Sequence, residues 1–179
     1  MTFPTSILKR LRETSVVAGF SVEHVDHAVP LTRALLDGGI GAIELTLRTA
    51  AGMDALKAIC GGVPEMLIGV GTILTTQSVR EVKAAGAHFG VAPGMNPSVI
   101  AAAREFDLPF APGIATPSDL EAAIELDCRF VKFFPAEAMG GIAYLRSMSA
   151  PYKHLGIEYF PLGGVNAENM NRYLAEPNV

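Results

Sequence analysis

The amino-acid sequence predicts an α/β fold of parallel strands, specifically a TIM (β/α)8 barrel, and three observations predict it. A short apolar, β-rich run recurs along the chain, with a helical pattern of ten or so residues between one run and the next. Cap and turn residues punctuate the repeats consistently. Glu44, Thr72 and Lys132, with Pro93 and Gly163 at matching positions, recur where the runs end, and barrel enzymes place their catalytic groups at that rim.

An amphipathic helix is expected first, over residues 4–14, with Ile7, Leu8 and Leu11 on one face. The strand runs that follow are Val16–Phe20, Ile40–Leu45, Met66–Val70, His88–Ala92, Leu108–Ala111, Phe130–Phe134 and Ile157–Leu162. Helices between them repeat apolar residues at a spacing of three to four, as in Met53, Leu56, Ile59 and Cys60. Asn96-Pro97 and Thr116-Pro117 each supply a cap followed by proline in the first turn, and Thr116-x-x-Asp119 is close to a capping box. Gly38-Gly39 and Gly61-Gly62 stand where helices should end. An open doubly wound sheet is the competing architecture, but Gly69-Val70-Gly71-Thr72 lacks the third glycine of a dinucleotide-binding turn. Seven runs precede Val179, the last followed by a helix expected over Asn166–Ala175. The expectation is therefore one barrel domain over residues 1–179 with its eighth βα unit missing, by truncation or by closure of another kind.

Composition narrows the partners. Half of the 179 residues are hydrophobic, 18% are charged and the net charge is −4. The few basic residues form no run able to track a phosphate backbone, which argues against nucleic acid and anionic membranes as partners. A small anion remains possible, because one or two cations or main-chain amides suffice to hold it. Cys60 and Cys128 stand alone and read as core residues of a reduced, cytoplasmic protein. His24, His27, His88 and His154 share no metal-ligand spacing, so no metal is expected, and they read as solvent-facing or helix-end residues.

Lys132 is the residue with most chemistry. The chain has five lysines, and this one alone stands inside an apolar β run, Phe130-Val131-Lys132-Phe133-Phe134-Pro135. Strand parity puts Phe130, Lys132 and Phe134 on one face. Loss of water from an ammonium group favours the neutral amine, the nucleophile that attack on a ketone requires. A structural ion pair is the alternative. Glu44 shares a face with Ala42 and Thr46 in Ala42-Ile43-Glu44-Leu45-Thr46, and a carboxylate entering a barrel beside a lysine can move protons to and from a substrate. Arg48 offers a fork for a carboxylate, against the commoner role of a surface arginine. Thr72 offers a hydroxyl, or a helix cap. Gly163-Gly164, opening the helix expected from Asn166, reads either as a barrel phosphate site or as a tight turn.

Together these segments resemble the KDPG/KHG aldolases, class I enzymes acting on 2-keto-3-deoxy-6-phosphogluconate and 4-hydroxy-2-oxoglutarate. The resemblance rests on Ile43-Glu44-Leu45-Thr46-Leu47-Arg48-Thr49, Gly69-Val70-Gly71-Thr72, Ala92-Pro93-Gly94 and Val131-Lys132-Phe133-Phe134-Pro135-Ala136-Glu137. His27-Ala28-Val29-Pro30 and Gly163-Gly164-Val165 match as well, so it runs from about Val16 onward. It implies Lys132 as the Schiff-base lysine and Glu44 as the acid/base. It further implies Arg48 and Thr72 on the pyruvate carboxylate, and Pro93 and Phe134 around the pyruvyl group. Leu162, Gly163 and Gly164 would meet the rest of a phosphorylated 2-oxo acid. The family implies a homotrimer and no metal or other cofactor. Leu162 departs from the threonine that gluconate-type enzymes often carry. A galactonate-type relative is also apolar there, but it lacks the arginine corresponding to Arg48. Three alternatives stay open: a 4-hydroxy-2-oxoglutarate or other 2-oxo-acid aldolase, a phosphosugar isomerase or synthase, and a catalytically silent barrel used for binding or as a scaffold.

Overall fold

In the computed structural model, which describes residues 3–179, strands and helices alternate along the whole chain, and the strand pairs run parallel. The strands are β1 (Ala18–Phe20), β2 (Ala42–Thr46), β3 (Leu67–Gly71), β4 (Phe89–Val91), β5 (Phe110–Ala111), β6 (Gly113–Ile114), β7 (Phe130–Phe133) and β8 (Glu158–Pro161). The helices are α1 (Thr5–Thr14), α2 (Ala28–Asp37), α3 (Gly52–Gly62), α4 (Thr76–Ala84), α5 (Pro97–Glu105), α6 (Pro117–Glu125), α7 (Gly141–Ser149) and α8 (Met170–Leu174). Every one of the seven expected runs overlaps a strand, β2 and β3 each extending one residue further. Beyond Ala111 the chain meets Pro112, which has no N–H for a ladder, and pairing resumes at Gly113 as β6.

Two compact units result. The first comprises Phe3–Val91 and Ser98–Phe110 and carries the sheet ordered β1-β2-β3-β4-β5. Register sets Glu44 between Gly19 of β1 and Gly69 of β3, and Thr46 beside Gly71. On the opposite face Ile43, Leu45, Ile68 and Val70 are buried, and α3 packs on β2 with Leu56 and Ile59 fully inside. Each such side chain contributes roughly 1.5–3 kcal/mol on burial. On the Glu44 face, Phe89 of β4 is paired with Gly69, and Phe3 meets its ring edge-on at 5.9 Å. Gly69 makes room for that ring: a Cβ there would lie 2.2 Å from it.

The second unit comprises Ala92–Pro97 and Ala111–Val179, with the sheet ordered β6-β7-β8. Val131 and Phe133 are buried on one face, where the Tyr144 ring of α7 stacks on Phe133 at 6.1 Å and the Tyr144 hydroxyl donates to the Ala115 carbonyl. The near-match at the start of α6 proves to be a full capping box. Thr116 Oγ1 accepts from the Asp119 N–H at 3.2 Å, and Asp119 Oδ2 accepts from the Thr116 N–H at 2.9 Å. Aspartate is shorter than glutamate by one methylene, and it still reaches.

Two local expectations are corrected. The helix expected over Asn166–Ala175 is confined to Met170–Leu174, because Asn166 and Asn169 bond each other's backbone instead. Asn166 Oδ1 accepts from the Glu168 and Asn169 N–H groups, and Asn169 Oδ1 accepts from the Asn166 N–H. Gly61-Gly62 closes α3 where a helix end is expected, with Val63 as its C-cap. His88 faces the protein, not solvent. It is half-buried, its Nδ1 accepts from the Ile68 N–H at 3.1 Å, and burial and the Arg10 charge hold its imidazole below the ordinary range. His24, His27 and His154 are exposed, as expected. Among the described residues no cluster of histidine, cysteine and carboxylate is placed to hold a metal, and no helix is long and apolar enough to cross a membrane.

Because the Phe89 ring is locked between Gly69 and Phe3, Gly69→Ala forces a shift in a filled core. We expect a loss of about 1–3 kcal/mol, read as a lower midpoint in urea unfolding.

Candidate active site

The sequence-predicted site residues fall into two groups, one in each unit. In the first unit Glu44 is 2% exposed, in the middle of β2. Its flanking neighbours in register, Gly19 and Gly69, have no side chains to fill its face. The carboxylate turns toward the C-terminal end of the sheet and lies over Gly71, where an added Cβ would fall 1.8 Å from Oε1. Thr72 follows directly, in the left-handed region at φ +63°, a conformation that a β-branched residue adopts only when its surroundings impose it. Arg48 is exposed at the end of the same strand run, and its Nε donates to Thr72 Oγ1 at 3.4 Å. The loop carrying Arg48 is pinned on both sides. Thr46 Oγ1 donates to the Phe20 carbonyl at 3.1 Å, and Thr49 Oγ1 to the Val22 carbonyl at 2.6 Å. Glu44, Arg48 and Thr72 are thus gathered at one end of β2 and β3.

In the second unit Lys132 is 3% exposed, and its amide donates to the Pro112 carbonyl at 2.8 Å. Register sets it between Gly113 of β6 and Phe160 of β8. Phe134 follows on the same face, with its ring centroid 5.0 Å from Lys132 Nζ, and Phe130 stacks on Phe160 at 6.0 Å. The amine therefore lies among aromatic surfaces, which repel water but attract a cation to their faces. Gly113 was not singled out from the sequence, yet it shapes this group. The backbone of Pro93 crosses it so closely that a Cβ at residue 113 would lie 2.2 Å from the Pro93 carbonyl. Its signal was a glycine interrupting an apolar run beside a proline, Pro112-Gly113.

Leu162 continues the parity of Lys132 and Phe160, half-exposed just beyond β8. Gly163 and Gly164 follow with φ of +95° and +85°, conformations open to glycine and strained for other residues. The turn is tied back through its carbonyls. Leu162 O accepts from the Ala136 N–H at 2.8 Å, Gly163 O from the Glu137 N–H at 2.9 Å, and Gly164 O from Asn169 Nδ2 at 2.9 Å. In a trans peptide the N–H points opposite to the C=O, so the amides of Gly163 and Gly164 are directed away from residues 136–137. Successive amides presented in this way form a concavity for an anion. These amides, not a helix N-terminus, are what the structure offers here, since α8 begins only at Met170.

A parallel β/α chain with a buried lysine on one strand and a buried glutamate on another is of the barrel class, with side chains suited to carbonyl chemistry. The profile of the KDPG and KHG aldolase family matches residues 7–179, and the chain belongs to that family. It is 39% identical over 175 residues to the KHG/KDPG aldolase of Escherichia coli K12, covering 98% of this chain and 81% of the relative. Among solved structures, the KDPG aldolase of Legionella pneumophila, with pyruvate captured as a covalent carbinolamine, is 36% identical. Its TM-score is 0.86 over 91% of this chain and 78% of that one. The 2-keto-3-deoxy-6-phosphogluconate aldolase of Zymomonas mobilis with 3-phosphoglycerate is 31% identical, with a TM-score of 0.90 over 96% of this chain and 81% of that one. The TIM-barrel fold class expected from the sequence is the class of these structures.

Proposed function

We propose that this chain is a class I aldolase that cleaves 2-keto-3-deoxy-6-phosphogluconate to pyruvate and glyceraldehyde 3-phosphate. The observation that carries the reading is Lys132, buried in β7 with the side-chain-free Gly113 on one flank and aromatic rings around it. The covalent pyruvate adduct described for the Legionella relative supports it.

The chemistry follows from the groups present. The Lys132 amine attacks the substrate ketone at C2, the carbinolamine loses water, and the resulting protonated imine draws electrons from the C3–C4 bond. Bond cleavage releases the aldehyde and leaves an enamine. Protonation at C3 and hydrolysis of the imine return pyruvate and the free amine. Each step moves a proton, and Glu44 is the carboxylate assigned to move it. Arg48 and Thr72 receive the pyruvate carboxylate, while Pro93 and Phe134 bound the pyruvyl methyl. Leu162 offers only apolar surface to the remaining chain, where a hydroxyl would discriminate more strongly. The amides of Gly163 and Gly164 receive the phosphate.

The E. coli relative's name covers both substrates, which favours 4-hydroxy-2-oxoglutarate as the second reading. The two are told apart by phosphate. On the leading reading kcat/KM for the phosphorylated substrate exceeds that for its unphosphorylated counterpart by roughly a hundredfold, the worth of two charge-assisted hydrogen bonds; equal values remove it.

Borohydride reduction in the presence of pyruvate should leave a pyruvyl adduct confined to the peptide containing Lys132, read by mass mapping. An adduct that persists in Lys132→Ala defeats the mechanism. Glu44→Gln should slow turnover about 10²–10⁴-fold, the usual loss for a general acid/base, while the borohydride adduct still forms at Lys132. A wild-type kcat would remove Glu44 from this role.

A further inference from the structure

The second unit holds a polar pair, a buried tyrosine and an exposed glutamate, that the aldol chemistry does not use. Tyr173 is 3% exposed, at the end of the short helix α8, and its hydroxyl donates to Glu137 Oε1 in the loop that follows β7. The Glu137 side chain reaches this partner by passing between two glycines. A Cβ at Gly164 would lie 2.7 Å from Glu137 Cβ, and one at Gly141 would lie 2.9 Å from Glu137 Oε1. The Glu137 N–H holds the Gly163 carbonyl from the same direction. Phe134 and Pro135 close the remaining side, since a Cβ at Gly163 would fall 3.0 Å from Pro135 Cα and 3.1 Å from the Phe134 ring. One side chain therefore carries the Gly163-Gly164 turn on its flank and is itself fixed at its tip.

We propose that Glu137 and Tyr173 form a brace that positions the Gly163-Gly164 amides, making Glu137 a positioning residue for recognition of the substrate's phosphoryl end. The inference deepens the proposed function and rests on its assignment of phosphate to those amides. Two features of the brace suit the task. Two consecutive residues at positive φ form a turn with little stiffness of its own, so amides aimed at an anion need an outside support. That support is a carboxylate, which would repel a phosphate if it were free to swing toward it. Donation from Tyr173 draws its charge to the side away from the turn. Burial, and then the bond to Glu137, push the Tyr173 phenol above its ordinary range, so the hydroxyl stays a donor across neutral pH.

Steady-state kinetics on Glu137→Leu, Glu137→Gln and Tyr173→Phe test the brace, with inorganic phosphate as an inhibitor. In Glu137→Leu and Tyr173→Phe, KM for 2-keto-3-deoxy-6-phosphogluconate should rise about tenfold, and inhibition by phosphate should weaken by a similar factor. Borohydride trapping of pyruvate at Lys132 should keep its wild-type rate in both. Glu137→Gln retains an oxygen able to accept from Tyr173 and should stay close to wild type. Unchanged KM and phosphate inhibition in both Glu137→Leu and Tyr173→Phe would overturn the proposal. So would a parallel loss of trapping and KM, the sign of a general structural role, or a Glu137→Gln variant as impaired as Glu137→Leu. If the wild-type enzyme itself ignores the phosphoryl group, the assignment of phosphate to the amides falls, and the brace falls with it. A brace that fails alone leaves the wild-type preference for phosphate intact.

Discussion

The register of β7 against its two neighbours is the constraint on which the chemistry depends. Lys132 N–H bonds the Pro112 carbonyl, which sets Lys132 opposite Gly113 on one side and Phe160 on the other. A slip of one residue would carry the lysine to the face occupied by Val131 and Phe133, under the rings and methyls of α7. There an amine would find no room and no substrate. Pairing continues past the strand ends, since Phe134 N–H reaches the Ile114 carbonyl and Leu162 N–H the Phe133 carbonyl. The same ladder that orients the lysine thus leads directly into the loops carrying Phe134, Glu137 and Gly163.

Glycine supplies the space that charged and aromatic groups then use. Gly71 leaves the volume occupied by the Glu44 carboxylate, Gly69 that of the Phe89 ring, and Gly113 lets the Pro93 backbone cross beside the Lys132 strand. A buried carboxylate or amine is expensive to desolvate, and a protein tolerates it where function requires it or a partner compensates. Each charge is set beside a missing side chain rather than packed into an apolar core.

The alternation of strands and helices was legible because apolar period and punctuation agree: β-rich runs, then caps such as Thr116-Pro117, then helical spacing. Lys132 and Glu44 were legible because a charge inside an apolar run has few structural explanations. Short-range competition hid the rest. Asn166 looked like a helix cap, but with Asn169 three residues on it could close a loop of reciprocal side-chain bonds, and the helix began later. His88 has the composition of a surface residue, yet its imidazole accepts a strand amide that is out of reach of any local pattern. Gly113 and Tyr173 act through residues 19 or more positions away, Lys132 and Glu137 respectively, and no local periodicity records such pairs.

The acidic balance of the chain bears on how an anion can be held at all. With a net charge of −4 and five lysines, of which the proposed mechanism gives Lys132 to the imine, long-range attraction for a substrate bearing a carboxylate and a phosphate is weak. Recognition then falls to short-range donors that work only when correctly aimed. On the proposed function Arg48 meets this need beside Thr72, on a loop tied at Thr46 and Thr49. On the same reading the Gly163-Gly164 amides meet it, their turn held through tethered carbonyls. A main-chain amide carries a partial charge and cannot follow a moving ligand as a lysine can, so its contribution depends on the rigidity of what lies behind it. In the proposed brace that backing includes a glutamate, which would stand out beside an anion site but for its bond to Tyr173. The negative charge is tolerable because it is anchored, and that anchor adds to the hydrogen bonds that already tie the turn through its carbonyls.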